Sequence, residues 1–570
     1  MKHLFSCLKT YKKEAILAPL FKLLEACMEL VVPLVVAHIV ETGIAGADKM
    51  YVLYGCLVLV AFGAAGLGFA LSAQYFAAKA AVGGSAELRE RVFVKLQSLS
   101  YSQIDTLGTS AMITRMTSDC QQVQTGVNLT LRLLLRSPLI VFGAAAMAFV
   151  VDVRAALVIV AIIPLLALVV VAVMGASIPL YRRVQEKLDG VQLSTRENLQ
   201  GARVIRAFCQ EEDERRVFAG RNDALKRAQK RAGRVSAIMN PLTYALVNLA
   251  VILLVYVGAL RVNAGALGQG DVIALYSYIS LILVELVKLA NFVFTVSKAI
   301  SSQKRIGAVL DMPAEPSVLE SGTEEQDGCA LRFEHVGFTY AGGGAPALVD
   351  IDFCAKRGDT VGILGGTGSG KSTLINLIPR FYEASEGSVL LNGANVNSLP
   401  AEELRTRIAV VPQHAALFKG SIRSNLLWGK PDATEEELLR AVKLAQAEDV
   451  VAAKGGLDGE IAQEGRNLSG GQRQRLTIAR ALVRKPEILI LDDSSSALDY
   501  ATDARLRAAL KTLDCTLFIV SQRTSSVRHA DKILVLDEGR IAGMGTHEEL
   551  LGTCALYQEI DASQRGEGTL

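Results

Sequence analysis

A glycine-rich run, Gly365, Gly366, Thr367, Gly368, Ser369, Gly370, Lys371, Ser372 and Thr373, has the make-up of a loop that wraps phosphates. Glycines at 365, 368 and 370 permit backbone turns that aim amides at phosphate oxygens. Lys371 reaches the outer phosphates, and the Ser372 hydroxyl can ligate magnesium. Farther along, the apolar run Ile488-Leu-Ile-Leu491 ends in Asp492. A carboxylate closing a buried strand needs a cationic partner, and loop-bound magnesium supplies one. Between the two lie Leu468, Ser469, Gly470, Gly471 and Gln472, followed by Arg473-Gln-Arg475. A serine and glycines at a helix start form a second anion-binding surface.

Elements of fixed type must position these groups. The glycine-rich run follows a strand-like segment, Thr360–Leu364, and opens into a helical pattern, Ser372–Arg380, the context a true phosphate loop requires. Further strand-like runs, Ile408–Val411, Glu487–Leu491, Thr516–Val520 and Lys532–Leu536, alternate with helical patterns. Alternation of this kind predicts an α/β domain around a largely parallel sheet.

The first 300 residues read differently. Six stretches, roughly 15–41, 51–80, 128–151, 153–176, 237–262 and 270–299, are apolar enough and long enough to cross a bilayer. Short turns, Thr42–Lys49, Asp152–Arg154 and Val262–Gly270, join three pairs of them. The other two connections, about 81–127 and 181–236, are long, helical in pattern and rich in Arg and Lys. The excess of cations places those connections and both ends of the chain in the cytoplasm. Charges also fall inside the spans: Lys22, Glu25 and Glu29 in the first, Glu285 and Lys288 in the sixth. Such groups face a bundle interior or a watery cavity. Glu25, Glu29, Glu285 and Asn291 are therefore candidates to line a substrate cavity, the alternative being charge pairing one helical turn apart (Lys22 with Glu25, Glu285 with Lys288). From 301 to 329 hydrophobicity collapses, with Pro313, Pro316 and the acidic run Glu320–Asp327, and reads as a linker.

Composition sets outer limits. The chain has 570 residues, 51% of them hydrophobic, and a net charge of only +3, so no global field points to nucleic acid. The nine cysteines are scattered with no Cys-x-x-Cys pair, which predicts reduced thiols and neither a disulfide framework nor a zinc site. The basic, apolar-interleaved segment from Met1 to Lys13 precedes an apolar run too long for a secretory signal, and reads as an amphipathic helix on the cytoplasmic membrane face. A first span opening near residue 15 also leaves no room for an N-terminal peptidase.

The Leu468–Gln472 pentapeptide, set between the phosphate loop and Asp492, resembles the signature of the ABC exporter family. The likeness covers nearly the whole chain. It implies a multidomain protein: an α-helical polytopic membrane domain of six transmembrane helices over 1–300, a linker over 301–329 and an α/β P-loop ATPase domain over 330–570. By the same resemblance the cofactors are ATP and Mg2+. Gln413, in Val410-Val-Pro-Gln413, matches the loop that contacts magnesium and senses the membrane domain, so Ser372, Gln413 and Asp492 form the metal set. Tyr340 matches the aromatic that stacks on adenine. Ser469, Gly470, Gly471, Gln472 and Asp499, the last in Ser496-Ala-Leu-Asp499, match residues that contact ATP held by a partner. Ser102-Gln-Ile-Asp105 and Arg196–Phe208 look like the cytoplasmic segments that dock on nucleotide domains.

Two positions depart from the family. A glutamate that polarises the attacking water is expected after Asp492, and Asp493 stands there, one methylene shorter. A carboxylate displaced by about an ångström loses the reach that general-base chemistry demands. A histidine is expected in the switch loop, and Gln522 stands there, able to donate a hydrogen bond but not to become cationic. With the signature intact, this combination resembles the degenerate-site subunit of a heterodimeric exporter. It implies ATP-driven export of a small or amphiphilic substrate across the inner (cytoplasmic) membrane, beside a second half-transporter carrying the intact Glu and His. An ATP-gated channel or regulatory subunit is the alternative. Substrate flux into sealed vesicles, against a gradient or only down it, separates the two.

Overall fold

The computed structural model describes residues 2–318, 328–494 and 497–566; residues 319–327 of the expected linker, with its acidic run Glu320–Asp327, and residues 495–496 fall outside them. The chain divides into two compact units. One comprises Met1–Gln97 and Ser110–Met312, the other Ser98–Thr109 and Pro313–Leu570.

The first unit is helical. Among the described residues six helices are long and apolar enough to cross a membrane: α1 (His3–Ile44), α2 (Lys49–Gln97), α3 (Thr109–Val151), α4 (Val153–Gln200), α5 (Glu211–Asn263) and α6 (Gln269–Leu310). Their apolar cores coincide with the six stretches read from the sequence. Lengths of 42 to 53 residues far exceed the ~20 that span a bilayer, because the charged connections continue the same helices. Small residues let the helices approach closely: Ala18, Ala26, Ala73, Ala77 and Ala80 are fully buried. Tyr278 of α6 donates its hydroxyl to the Leu30 carbonyl of α1 at 2.9 Å. Helix α6 continues past position 300, where the sequence reading begins its linker. Polar residues there mark the end of the apolar span but not of the helix, since Ile306 and Val309 remain buried on one face.

The second unit is α/β. A six-stranded sheet has the order β12-β11-β3-β10-β9-β6 and a four-stranded sheet the order β2-β1-β4-β5. The strands of the larger sheet are β3 (Thr360–Gly365), β6 (Ile408–Val411), β9 (Ile488–Asp492), β10 (Thr516–Ser521), β11 (Lys532–Asp537) and β12 (Arg540–Gly545). All pair in parallel except the edge pair β11–β12. Strands β3, β9 and β10 are buried almost throughout, which is why they read as continuous apolar runs without alternation. The smaller, antiparallel sheet joins β1 (Cys329–Phe338), β2 (Leu348–Lys356), β4 (Glu386–Leu391) and β5 (Ala394–Asn395).

The expectation of reduced thiols throughout is corrected here. Cys329 and Cys354 form a disulfide, because antiparallel pairing of β1 with β2 brings Cα atoms 25 residues apart in sequence to 5.9 Å.

Residues 98–109 pack within this unit. Ser100 caps the short helix Tyr101–Leu107. The Tyr101 ring stacks on Phe381 with centroids 4.4 Å apart, and the Tyr382 hydroxyl donates to Asp105 at 2.5 Å. A buried guanidinium anchors the adjoining chain. Arg380, 2% exposed, donates to the carbonyls of Val396, Leu399, Pro316 and Ser317 at 2.9–3.2 Å. An Arg380→Met variant keeps the volume and orphans those acceptors, so it lowers stability by roughly 3 kcal/mol. Thermal unfolding of the full-length protein in detergent measures the loss as an earlier transition, and an unchanged midpoint refutes the anchoring role.

Candidate nucleotide site

The phosphate loop is built by β3 and the helix α7 (Lys371–Leu377) that follows it. Gly370 takes a left-handed φ of 98°, and a Cβ there would meet the Ala347 carbonyl at 2.9 Å. A Cβ on Gly365 would meet the Leu536 carbonyl at 2.4 Å, so this turn excludes any side chain at its first position too. Lys371 is 9% exposed, and its ammonium donates to the carbonyls of Gly365 (2.9 Å) and Gly366 (2.5 Å). Burial pushes its pKa below the ordinary lysine value, partly opposed by the carboxylates of Asp492 and Asp493.

Those carboxylates come from β9. Pairing of β9 with both β6 and β10 lays the three strand ends side by side, with Asp492 opposite Val520 and Leu491 opposite Val411. Ser372 Oγ donates to Asp492 Oδ2 at 3.3 Å, and Gln413 Nε2 donates to Asp493 Oδ2 at 3.4 Å. The structure thus brings Lys371, Ser372, Gln413, Asp492 and Asp493 into one constellation. Burial raises the pKa of both aspartates, and the charge of Asp493 adds to the rise at Asp492. A hydroxyl, a carboxylate and an amide are hard oxygen donors that suit magnesium. The Ser372–Asp492 spacing is close to the ~3 Å between neighbouring ligands around an octahedral ion with bonds of about 2.1 Å.

Tyr340 is half exposed beside the loop, its hydroxyl 3.0 Å from Thr373 Oγ1 and its ring edge-on to Phe338 and Tyr382. Gln522 directly follows β10, two residues beyond the partner of Asp492, and is exposed. Its carbonyl accepts from Gln564 at 2.8 Å. Asp493 takes a left-handed φ of 42°.

The pentapeptide forms a separate surface. Ser469 caps α8 (Gly470–Val483) in a reciprocal box: Ser469 Oγ accepts from the Gln472 amide at 3.3 Å, and Gln472 Oε1 accepts from the Ser469 amide at 2.9 Å. Leu468 is buried as an anchor, and Gly470 is exposed at the first turn, where amides lack intrahelical acceptors. A Cβ on Gly471 would press on the Ala497 carbonyl at 2.9 Å. Asp499 caps the next helix, α9 (Tyr500–Leu510), accepting from the Thr502 amide at 2.9 Å. That bond leads the causes that lower its pKa.

In the membrane unit the four candidate cavity residues separate. Glu25, Glu29 and Glu285 converge on a residue the sequence reading passed over, Arg136. Its guanidinium lies 2.5 Å from Glu285 Oε1, 2.7 Å from Glu29 Oε2 and 4.0 Å from Glu25 Oε1. Ser137 donates to Glu285 at 2.8 Å, Lys288 adds a contact at 2.8 Å, and Lys22 pairs with Glu25 at 2.5 Å. The helical-turn pairings expected as the alternative therefore exist, inside a larger network. Asn291 is exposed, and its carbonyl accepts from Thr295. A charge inside the apolar run 128–151 was the signal available for Arg136. An Arg136→Met variant leaves the buried Glu285 and the part-buried Glu29 short of a cation, at a cost of about 3–5 kcal/mol. A midpoint drop in detergent much larger than that of Lys288→Met confirms the ranking, and equal drops reverse it.

Comparison with known proteins agrees with this construction. Profiles described as ABC transporter transmembrane region and ABC transporter match residues 15–286 and 348–496. The chain is 36% identical over 568 residues to the ABC transporter ATP-binding protein YfiB of Bacillus subtilis (strain 168), covering 99% of each. It is 30% identical over 585 residues to YgaD of the same organism, a putative multidrug export ATP-binding/permease protein, covering 98% of each. A bacterial Atm1-family ABC exporter with ATP bound shares the fold, with a TM-score of 0.79 at 23% identity over 97% of this chain and 98% of that one. With one transmembrane region joined to one nucleotide-binding domain, this chain belongs to the ABC transporters as an exporter half-transporter.

Proposed function

We propose that this chain is the degenerate-site half of a heterodimeric exporter in the cytoplasmic membrane. In this reading it holds ATP at its own loop and completes a hydrolytic site on its partner. The observation that carries the reading is an asymmetry. The Ser469–Gln472 box is fully formed, whereas the positions that would activate water hold Asp493 and Gln522. The loop amides and Lys371 bind the phosphates, and Tyr340 stacks on the base. Ser372, Gln413 and Asp492 hold magnesium, which neutralises phosphate charge. Asp493, tied to Gln413, orients water poorly because its carboxylate stops one methylene short. The Gly470 and Gly471 amides and Ser469 contact the partner's ATP. The cargo is small or amphiphilic, and the cationic connections fix the nucleotide domain on the cytoplasmic side.

The test compares ATPase activity of this chain alone with that of a complex with a half-transporter carrying Glu and His. In the complex, replacing the partner's glutamate by glutamine lowers turnover by roughly 100-fold or more, while Asp493→Asn changes it less than about twofold. Installing Asp493→Glu together with Gln522→His raises the activity of the chain alone. Fast hydrolysis by the unaltered chain alone sinks the proposal.

A further inference from the structure

The nucleotide-binding unit holds a cysteine pair that neither nucleotide binding nor transport uses. Cys329 opens β1 directly after Gly328, whose φ is 77°, and Cys354 lies near the end of β2. Strand pairing sets their Cα atoms 5.9 Å apart, and the structure joins them by a disulfide. Cationic groups flank both positions. Arg332 Nη2 lies 3.7 Å from Cys329 Sγ, and Lys532 Nζ donates to the Cys354 carbonyl at 2.6 Å. A cation beside the sulfur, as Arg332 is beside Cys329 Sγ, favours the thiolate, the form that attacks disulfides. Cys515 is the contrast: burial pushes its thiol up to about 11 and keeps it inert.

Permanent disulfides belong to oxidising compartments, and in a reducing one paired thiols cross-link reversibly. We propose that Cys329 and Cys354 form a reversible modification site whose co-substrate is a low-molecular-weight disulfide of the glutathione class. The inference rests only on the cytoplasmic placement of this unit and is independent of the heterodimer. Cys354 is half-buried whereas Cys329 is 8% exposed, so Cys354 is attacked or attacks first. Its thiolate forms a bond to one sulfur of the small disulfide and expels the other as a thiolate. Cys329, as thiolate, then attacks Cys354 Sγ and expels the second. In total two protein thiols lose two electrons and two protons, and one small disulfide becomes two thiols. The bond closes a 25-residue loop that contains Tyr340, and it ties the first residue of β1 to its neighbouring strand. Cross-linking a loop of this size restricts the unfolded chain, so the oxidised unit is the more stable form.

Full-length protein in detergent, equilibrated with a series of reduced-to-oxidised glutathione ratios, is quenched by alkylation, digested and read by mass spectrometry. The expected result is a linked Cys329–Cys354 peptide pair, two hydrogens lighter than the free pair, that rises with oxidised glutathione and falls again on return to reduced. In Cys329→Ser the Cys354–glutathione adduct accumulates instead. The thermal midpoint is several degrees higher in the oxidised sample, and the Cys329→Ser/Cys354→Ser double variant abolishes that difference. A pair alkylated at every ratio, or linked at every ratio, overturns the proposal whatever the transport assays show.

Discussion

Two adjacent carboxylates at the end of a strand buried on both faces set the terms for the nucleotide-binding unit. Asp492 and Asp493 sit where desolvation disfavours their charge, and the charge of Asp493 makes ionisation of Asp492 harder still. Groups that favour negative charge gather around that strand end: the opening turn of α7, the Ser372 hydroxyl and the Gln413 amide. Lys371 is itself desolvated and spends its hydrogen bonds on loop carbonyls. The arrangement makes sense as one half of a salt, since a magnesium ion with a polyphosphate brings both the cation the aspartates need and the anion the loop amides need. Neither group of residues is well solvated without the other's counter-charge, so loop and strand end act as a single site even though a long stretch of sequence separates them.

The membrane unit meets the same constraint in a harsher solvent. Three carboxylates, Glu25, Glu29 and Glu285, are matched by three cations, Lys22, Arg136 and Lys288, contributed by α1, α3 and α6. A set that sums to zero avoids most of the penalty for charge in hydrocarbon, and only a guanidinium has the fork of donors to serve carboxylates from two other helices at once. With Arg136 at its centre, the network fixes three helices to one another by geometry as well as by apolar packing.

How much of this was legible in the sequence follows from range. Spans and buried strands were readable because burial imposes a local composition, and the phosphate loop because its turn needs glycine at fixed offsets. The serine and glycines at the start of α8 were readable as an anion-binding surface for the same reason, whereas the reciprocal Ser469–Gln472 box emerged only in the structure. What depends on tertiary register was not visible. The meeting of Arg136 with Glu285, the pairing of Cys329 with Cys354, and the alignment of Asp492 with Val520, two residues before Gln522, in the parallel β9–β10 pair all depend on which strands and helices become neighbours. The extent of α6 beyond residue 300 escaped notice because hydropathy reports where an apolar span ends, whereas Ile306 and Val309 extend the helix by an amphipathic face.

Asp493 ties these two kinds of information together. Its backbone sits at a φ of 42°, a left-handed conformation in which aspartate and asparagine are several-fold enriched over other residues with side chains, because their short polar groups satisfy nearby backbone. A glutamate at the same position keeps its reach to water but gives up that local comfort, a strain tolerated where catalysis rewards it. On the reading proposed for this chain, no such reward exists at its own loop, since hydrolysis happens at the partner's. Relief of strain then favours the shorter acid, and the histidine position relaxes to glutamine without loss. The Ser469–Gln472 surface still has a customer in the partner's ATP, and so has no comparable freedom to drift. The pattern of what departs and what is kept therefore follows from where the chemistry occurs, and the single methylene missing at Asp493 is its most economical sign.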